Sequence, residues 1–288
     1  MENYFKLMRV HHYLKNGLIF LPLFFSKNLF NVSLLKNVFL GFLAFCILSS
    51  IVYIINDIQD VEKDRKHPKK CKRPIASGVV LVKEAYVLAI VIAIVGIYIN
   101  YLVCGFNIKG WILVFVYLGL NFAYSMGFKN IPITDIIILV SGFCIRVLYG
   151  SAITNIEVSK WLYLTIISIS FYLGLGKRRN ELRTQGSETR KVLKYYNHNF
   201  LDKNMYMCLG LTIVFYSLWC VDSTTIERYS NGNLVWTVPL AMIICMKYSL
   251  NVEGDSDGDP VSVLLNDKIL MGMVFLYGCI MLFLLYIS

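Results

Sequence analysis

The run Asn56-Asp57-Ile58-Gln59-Asp60-Val61-Glu62-Lys63-Asp64 holds the residues best suited to chemistry. At 100° per residue, Asp57, Asp60 and Asp64 fall within about 60° of one another on one helix face. Three carboxylates so placed repel unless a divalent cation neutralises them, and hard Mg²⁺, bound through carboxylates, waters and substrate phosphates, suits such oxygen ligands. The plainer alternative is a solvated acidic helix end balanced by the lysines that follow. However, these carboxylates emerge directly from an apolar run of membrane-spanning length, where ionisable groups are expensive and usually face a cavity. That placement favours a metal and diphosphate site.

Cations follow in three places. His67-Pro68-Lys69-Lys70-Cys71-Lys72-Arg73 comes first; Arg73, with its planar fork, is the best phosphate ligand among them, and Lys72 is a lesser candidate. For any single lysine, plain positive charge beside a membrane explains it as well. The second group is Tyr124 and Lys129, then Asp135 and Arg146, which share a helix face about 16 Å apart if the helix is continuous. An arginine in mid-span marks a polar interior, serving either substrate or a structural pairing. The third group is Lys177-Arg178-Arg179-Asn180-Glu181. Lys177 and Glu181 are spaced to pair along a helix, which would leave Arg178 and Arg179 to meet a phosphate.

The elements that must carry these residues are membrane helices. Of 288 residues, 57% are hydrophobic and 16% charged, and mean hydropathy is +0.61, whereas a soluble domain carries roughly a quarter charged residues. Windows of about 19 residues place spans near 17–30, 34–55, 80–103, 109–126, 133–153, 159–176, 204–222, 233–250 and 268–287. The expectation is an all-α bundle of nine transmembrane helices forming a single polytopic membrane domain over residues 1–288. Lys and Arg concentrate between the second and third spans and between the sixth and seventh. By the positive-inside rule those segments are cytoplasmic, the N-terminus is inside, and Ser288 lies on the opposite side. The cytoplasmic loops then fall at about 56–79, 127–132, 177–203 and 251–267, the last being acidic, with Glu253, Asp255, Asp257, Asp259 and Asp267.

A net charge of +10 could suggest nucleic acid, but its clustering between spans is topological, and no nucleic-acid partner is expected. The eight cysteines show no CxxC spacing and read as packing residues. The basic N-terminal residues could pass for the start of a signal peptide. No small-residue cleavage site follows Phe25, and the apolar pattern continues, so the segment reads as mature protein.

With these motifs in view, the chain resembles the UbiA-type prenyltransferase superfamily, nine-helix bundles that hold Mg²⁺-diphosphate on an NDxxDxxxD motif. Asn56, Asp57, Asp60 and Asp64 match that motif, and Tyr124 with Lys129 resembles the family's YxxxK feature. Aromatic prenyltransferases of the superfamily carry a second aspartate-rich motif between spans six and seven, where this chain has Lys177-Arg178-Arg179-Asn180-Glu181. That departure resembles the branch that makes decaprenyl-phosphate phosphoribose. Lys15-Asn16, the run from Lys72 to Gly78, Arg190-Lys191, Gly258-Asp259-Pro260 and Leu264 to Asp267 resemble it too. The resemblance implies transfer of 5-phosphoribose from 5-phosphoribosyl-1-diphosphate to a polyprenyl phosphate at the cytoplasmic face, with Mg²⁺ as cofactor. Asp57, Asp60 and Asp64 would be the metal and catalytic residues. Lys15, Asn16, Asn56, Lys72, Arg73, Tyr124, Lys129, Arg146, Lys177, Arg178, Arg179 and Glu181 would bind substrates.

Rival readings are a prenyltransferase that ionises an allylic diphosphate, a transporter lined by Asp135 and Arg146, and a non-catalytic scaffold. The sequence leaves room for a homo-oligomer and fixes no prenyl chain length.

Overall fold

The computed structural model describes residues 2–66, 70–185, 190–254, 256 and 258–287. His67, Pro68 and Lys69 of the first basic run, and Asp255 and Asp257 of the acidic connection, lie outside them. The described residues are helical, without strands, and pack as two compact units, Met1–Met126 with Ile145–Ile156 and Gly127–Cys144 with Glu157–Ser288.

The first unit opens with α1 (Glu2–Met8), a 3₁₀ helix (Val10–Phe20) and the short α2 (Leu21–Phe24). A regular span is expected over 17–30; instead the helical segment starts earlier and runs as a 3₁₀ helix. With three residues per turn, positions three apart eclipse, so Tyr13, Asn16 and Ile19 form one row, and Asn16 and Ile19 are buried. Gly150 makes room for this row, since a Cβ there would collide with the Ile19 carbonyl oxygen.

Next comes α3 (Val32–Gln59), whose first free N–H groups are capped by the Asn31 side chain at Ser33 and Leu34. It leads through Asp60 (φ −94°, ψ 8°) into the short α4 (Val61–Arg65). The unit is completed by α5 (Val82–Cys104), α6 (Ile108–Met126) and the second half of α7 (Thr134–Thr154). Phe45, Leu48 and Ile54 of α3, Ala85, Ala89 and Ile92 of α5, and Tyr149 and Ile153 of α7 form its core. On α5 that buried stripe has helical spacing, while Val87, Ile90, Ile94 and Tyr98 are exposed. An apolar face of this extent needs lipid rather than water against it.

The second unit contains the first half of α7, α8 (Lys160–Gln185), α9 (His198–Val221), α10 (Ser223–Tyr229), α11 (Val238–Glu253), α12 (Pro260–Asn266) and α13 (Lys268–Tyr286). Ile136, Val140, Tyr172, Leu175, Leu201 and Met205 form its larger core cluster.

Among the described residues, seven helices are long and apolar enough to cross a membrane: α3, α5, α6, α7, α9, α11 with the turn before it, and α13. The chain is an integral membrane protein. Of the nine expected spans, the two outside this set are the 3₁₀ segment and α8, whose second half carries Lys177, Arg178, Arg179 and Arg183.

Candidate active site

In the first unit, Asp57 and Asp64 are each only 3% exposed. Both meet one nitrogen of Arg73: Nη1 lies 3.0 Å from Asp57 Oδ1 and 2.6 Å from Asp64 Oδ2. Arg73 follows a 3₁₀ turn (Lys70–Lys72) in which Lys72 is exposed. Its N–H bonds the Lys70 carbonyl. A second guanidinium arrives from the N-terminal segment, with Arg9 Nη2 2.6 Å from Asp57 Oδ1 and its head 4.9 Å from the centre of the Tyr53 ring. Among the described residues the carboxylate of Asp60 pairs instead with Lys63, 3.5 Å away.

The three-carboxylate cluster expected from the spacing is therefore a pair with one acid turned aside. Among the described residues no three His, Cys, Asp or Glu side chains gather closely enough to hold a metal. The backbone explains part of this, because Asp60 is the joint between α3 and α4. The Asp60 N–H still bonds the carbonyl of the half-buried Asn56, and the Asp64 N–H bonds the Asp60 carbonyl. The i, i+4 ladder thus keeps Asp57 and Asp64 about two turns apart on one face.

Elsewhere in the same unit, Arg146 is 6% exposed. Its Nε donates to Asn16 Oδ1 at 2.7 Å and Nη2 to the Tyr117 hydroxyl at 3.1 Å, with Phe45 and Tyr117 rings 5.3 and 4.9 Å away. Asn16 Nδ2 in turn meets Cys46 Sγ and Ser49 Oγ at 3.1 and 3.4 Å. Arg146 and Asn16, both expected at substrate, tie the 3₁₀ segment to α3, α6 and α7. Neighbouring Lys15 is half-buried.

The second unit centres on Arg178, which is completely buried. Its Nε lies 2.5 Å from Asp135 Oδ2, and its Nη1 2.6 Å from Glu181 Oε2. Arg190 Nη1 shares that Glu181 oxygen at 3.1 Å. The Tyr196 hydroxyl donates to Asp135 Oδ1 at 2.6 Å and accepts the Ile133 N–H at the same distance. Burial raises the pKa of that phenol, and its bond to the Asp135 carboxylate raises it further, so Tyr196 stays a neutral donor. For Glu181, burial pushes the pKa up, but Arg178, Arg190 and Lys177 outweigh it and hold the carboxyl below its ordinary value.

The expected Lys177–Glu181 pair does not form. Lys177 Nζ lies 3.2 Å from Asp259, on the loop before α12, while Glu181 is taken by Arg178 three residues away and by Arg190. Arg179 is not left open either, since its Nε meets Asp202 Oδ1 at 2.5 Å. The loop closes tightly on α8: Asn180 Nδ2 donates to Ser256 Oγ at 2.8 Å, and Arg183 to the carbonyls of Glu253 and Gly254. At Gly258 φ is +71°, and a Cβ would lie 2.9 Å from Asn180 Cβ and 3.0 Å from Lys177 Cα.

Tyr124 and Lys129 are five positions apart, one more than YxxxK requires. Tyr124 is half-buried in the last turn of α6 in the first unit, and Lys129 half-buried in a 3₁₀ turn (Phe128–Asn130) of the second. Arg9, Tyr196 and Asp202 belong to these networks without any mark in the sequence. One of several N-terminal cations, 48 residues before Asp57, carries no local signal that it pairs there, nor does a tyrosine whose partner is 61 residues away.

The pattern of the UbiA prenyltransferase family matches residues 23–263. The chain belongs to that family. Decaprenyl-phosphate phosphoribosyltransferase of Corynebacterium glutamicum is 31% identical over 274 residues, 92% of this chain and 81% of that protein. The enzyme of the same name from Mycobacterium tuberculosis is 31% identical over 242 residues, 83% of this chain and 78% of the relative. A UbiA homologue from Archaeoglobus fulgidus, solved bound to GPP and Mg²⁺, has the same fold, with a TM-score of 0.71 over 97% of this chain and 99% of that one at 18% identity.

For a UbiA-family chain the question is whether the residues present suit a divalent metal. Asp57 and Asp64 converge on one cationic nitrogen, so a point of positive charge is already the stable occupant between them. Both are hard oxygen donors, and Mg²⁺ is commonly held by one or two carboxylates together with substrate phosphates and waters. The pair fits such an ion without a third acid.

Proposed function

We propose that this UbiA-family protein transfers 5-phosphoribose from 5-phosphoribosyl-1-diphosphate to a polyprenyl phosphate, releasing pyrophosphate, with Mg²⁺ as cofactor and the reaction at the cytoplasmic face. The observation that carries this reading is the cationic end of α8. Where an allylic-diphosphate enzyme of the family needs a second set of metal carboxylates, this chain has Lys177, Arg178 and Arg179, with Arg190 on the same network. Each is paired with an acid, and the partly exposed Lys177 and Arg190 suit exchange of that acid for the phosphates of a substrate with more of them than one metal can hold. The names of the relatives agree.

On this reading Asp57 and Asp64 hold the metal at the donor's diphosphate, and Asp60 completes its surroundings through water. Bound there, Mg²⁺ would neutralise the charge that builds up on the departing pyrophosphate. Arg73 stabilises the same charge through its fork. The acceptor phosphate oxygen is already anionic near neutral pH, so it attacks the anomeric carbon without a general base. One C–O bond forms, the C–O bond to diphosphate breaks, and the electron pair leaves with pyrophosphate.

Lys177 and Arg190, 30% and 23% exposed, are the cations best placed to take phosphate oxygens, whereas Arg178 serves by holding that cluster together. Asn56, Lys15, Lys72, Tyr124 and Lys129 complete the proposed substrate contacts. A groove of about 430 Å³ in the second unit, lined by Ile136, Phe171, Leu175, Met207 and Leu211 among others, suits an isoprenoid tail. The proposed arrangement is a nine-span bundle with its N-terminus inside.

The test is direct. Membranes containing the protein are incubated with labelled phosphoribosyl diphosphate or, separately, a labelled allylic diphosphate, with and without Mg²⁺. Label from the first should enter lipid only with Mg²⁺. Label entering lipid from the allylic donor alone would replace this reading with prenyl transfer.

A further inference from the structure

The proposed mechanism leaves Arg9 unused, yet it makes one of the shortest charged contacts in the first unit. It stands between α1 and the 3₁₀ helix with φ 53° and ψ 50°, a left-handed conformation that a residue other than glycine adopts at a cost. Its neighbours hold that geometry. The Ser50 hydroxyl donates to the Met8 carbonyl at 3.0 Å and lies 2.8 Å from the Tyr13 hydroxyl, and the Asn16–Arg146 bond fixes the row below. The result is a guanidinium held over the Tyr53 ring at 4.9 Å, 21% exposed, and bonded to the buried Asp57.

Asp57 Oδ1 thus receives both Arg9 and Arg73, and Arg73 also reaches Asp64. Among the described residues two carboxylates facing two guanidiniums balance in charge, and Asp60 lies 3.5 Å from Lys63. A divalent cation entering alone competes with Arg9, the closer of the two guanidiniums on Asp57 Oδ1, as well as with Arg73, and brings uncompensated positive charge beside them. A diphosphate arriving with the metal cancels that charge and offers oxygens to which a displaced guanidinium can turn.

We propose that Arg9 is a cationic latch on Asp57 that obliges metal and diphosphate to bind together, opposing the metal alone and favouring the pair. This is a positioning role, and it rests on the reading of Asp57 as a metal ligand. It predicts effects of opposite sign, which a merely structural residue would not give.

Calorimetric titration of the purified full-length protein, first with Mg²⁺ alone and then with pyrophosphate at saturating Mg²⁺, tests it. Arg9→Gln should bind Mg²⁺ alone about fivefold or more tightly than the parent, and pyrophosphate more weakly by a similar factor. Arg9→Lys, which keeps the charge but lacks the fork, should retain weak binding of Mg²⁺ alone while losing part of the pyrophosphate affinity. Unchanged or weaker binding of Mg²⁺ alone by Arg9→Gln overturns the latch. If that variant does not fold, Tyr53→Leu, which removes the ring beneath the guanidinium, must shift both affinities in the same directions, and no shift overturns the proposal. Asp57→Asn separates the two ideas: loss of Mg²⁺ binding there upholds the metal reading whatever Arg9 does. Parent-like Mg²⁺ binding by Asp57→Asn removes the metal reading and the latch with it.

Discussion

In the first unit's acidic cluster the buried charges are two carboxylates, Asp57 and Asp64, whose cations Arg9 and Arg73 are 21% and 28% exposed. In the second unit's cluster the cation is buried too: the guanidinium of Arg178 is fully enclosed together with Asp135, and Glu181 lies beside it. The difference separates a site that can exchange its counter-ions from one that cannot. Partly exposed guanidiniums can move aside and leave two carboxylates to another cation. Arg178 cannot leave without stranding buried charge, which costs far more than the pair itself contributes. Chemistry is therefore expected at the first cluster and architecture at the second, with only the rim cations Lys177 and Arg190 of the second offered to ligands.

Four measurements would break or sharpen that contrast. The largest effect is expected for Asp57→Asn, which should lower pyrophosphate release from phosphoribosyl diphosphate by about two orders of magnitude or more while leaving the melting temperature nearly unchanged. Parent-like turnover would make the first cluster architectural too. Arg178→Ala should destabilise the protein by about 3–5 kcal/mol, the range for breaking a buried ion pair from one side. Thermal unfolding in detergent reads this, and a variant as stable as the parent would show that Arg178 is exchangeable after all.

Gly258→Ala should cost about 1–3 kcal/mol, since it meets both the positive φ and the crowding against Lys177 and Asn180. By displacing Asp259 it should also raise the Michaelis constant for the donor more than it lowers kcat. The reverse pattern would detach this loop from substrate binding.

The smallest effect concerns pH. Glu181 has its pKa held below the ordinary value, about 4.3 for glutamate. It therefore binds protons more weakly folded than unfolded, and its stabilisation is full above the unfolded pKa and lost as pH falls through the folded one. Melting temperatures from pH 6 down to pH 3 should fall less steeply for Glu181→Gln than for the parent, and equal slopes would exclude Glu181 as the acid-sensitive group.

Part of this contrast is legible in the order of residues along the chain. The spacing of Asp57 and Asp64 survives as proximity because α3 and α4 preserve the helical ladder between them, and local periodicity encodes such a ladder. The helix-length apolar runs of α3, α5, α6, α7, α9 and α13 are equally legible, because hydropathy over a window records which solvent a segment needs. Pairings across the chain are not. Nothing local ties Arg9 to Asp57, or Asp135 to Arg178. Helical spacing offers Glu181 to Lys177, but the carboxylate goes to Arg178 and Arg190. Likewise, the apolar run predicts a regular span, whereas Val10–Phe20 is a 3₁₀ helix whose Tyr13, Asn16 and Ile19 meet Ser50, Arg146 and Gly150.

The sequence alone determined that this is a helical membrane protein with an acidic motif at the end of α3 and a cationic one at the end of α8, because composition and period are properties of consecutive residues. Tertiary structure decided which acids pair with which bases, that Asp60 turns away, and that Arg9 reaches Asp57. Those outcomes depend on competition among charges far apart in the chain, settled by burial and distance once the helices have packed.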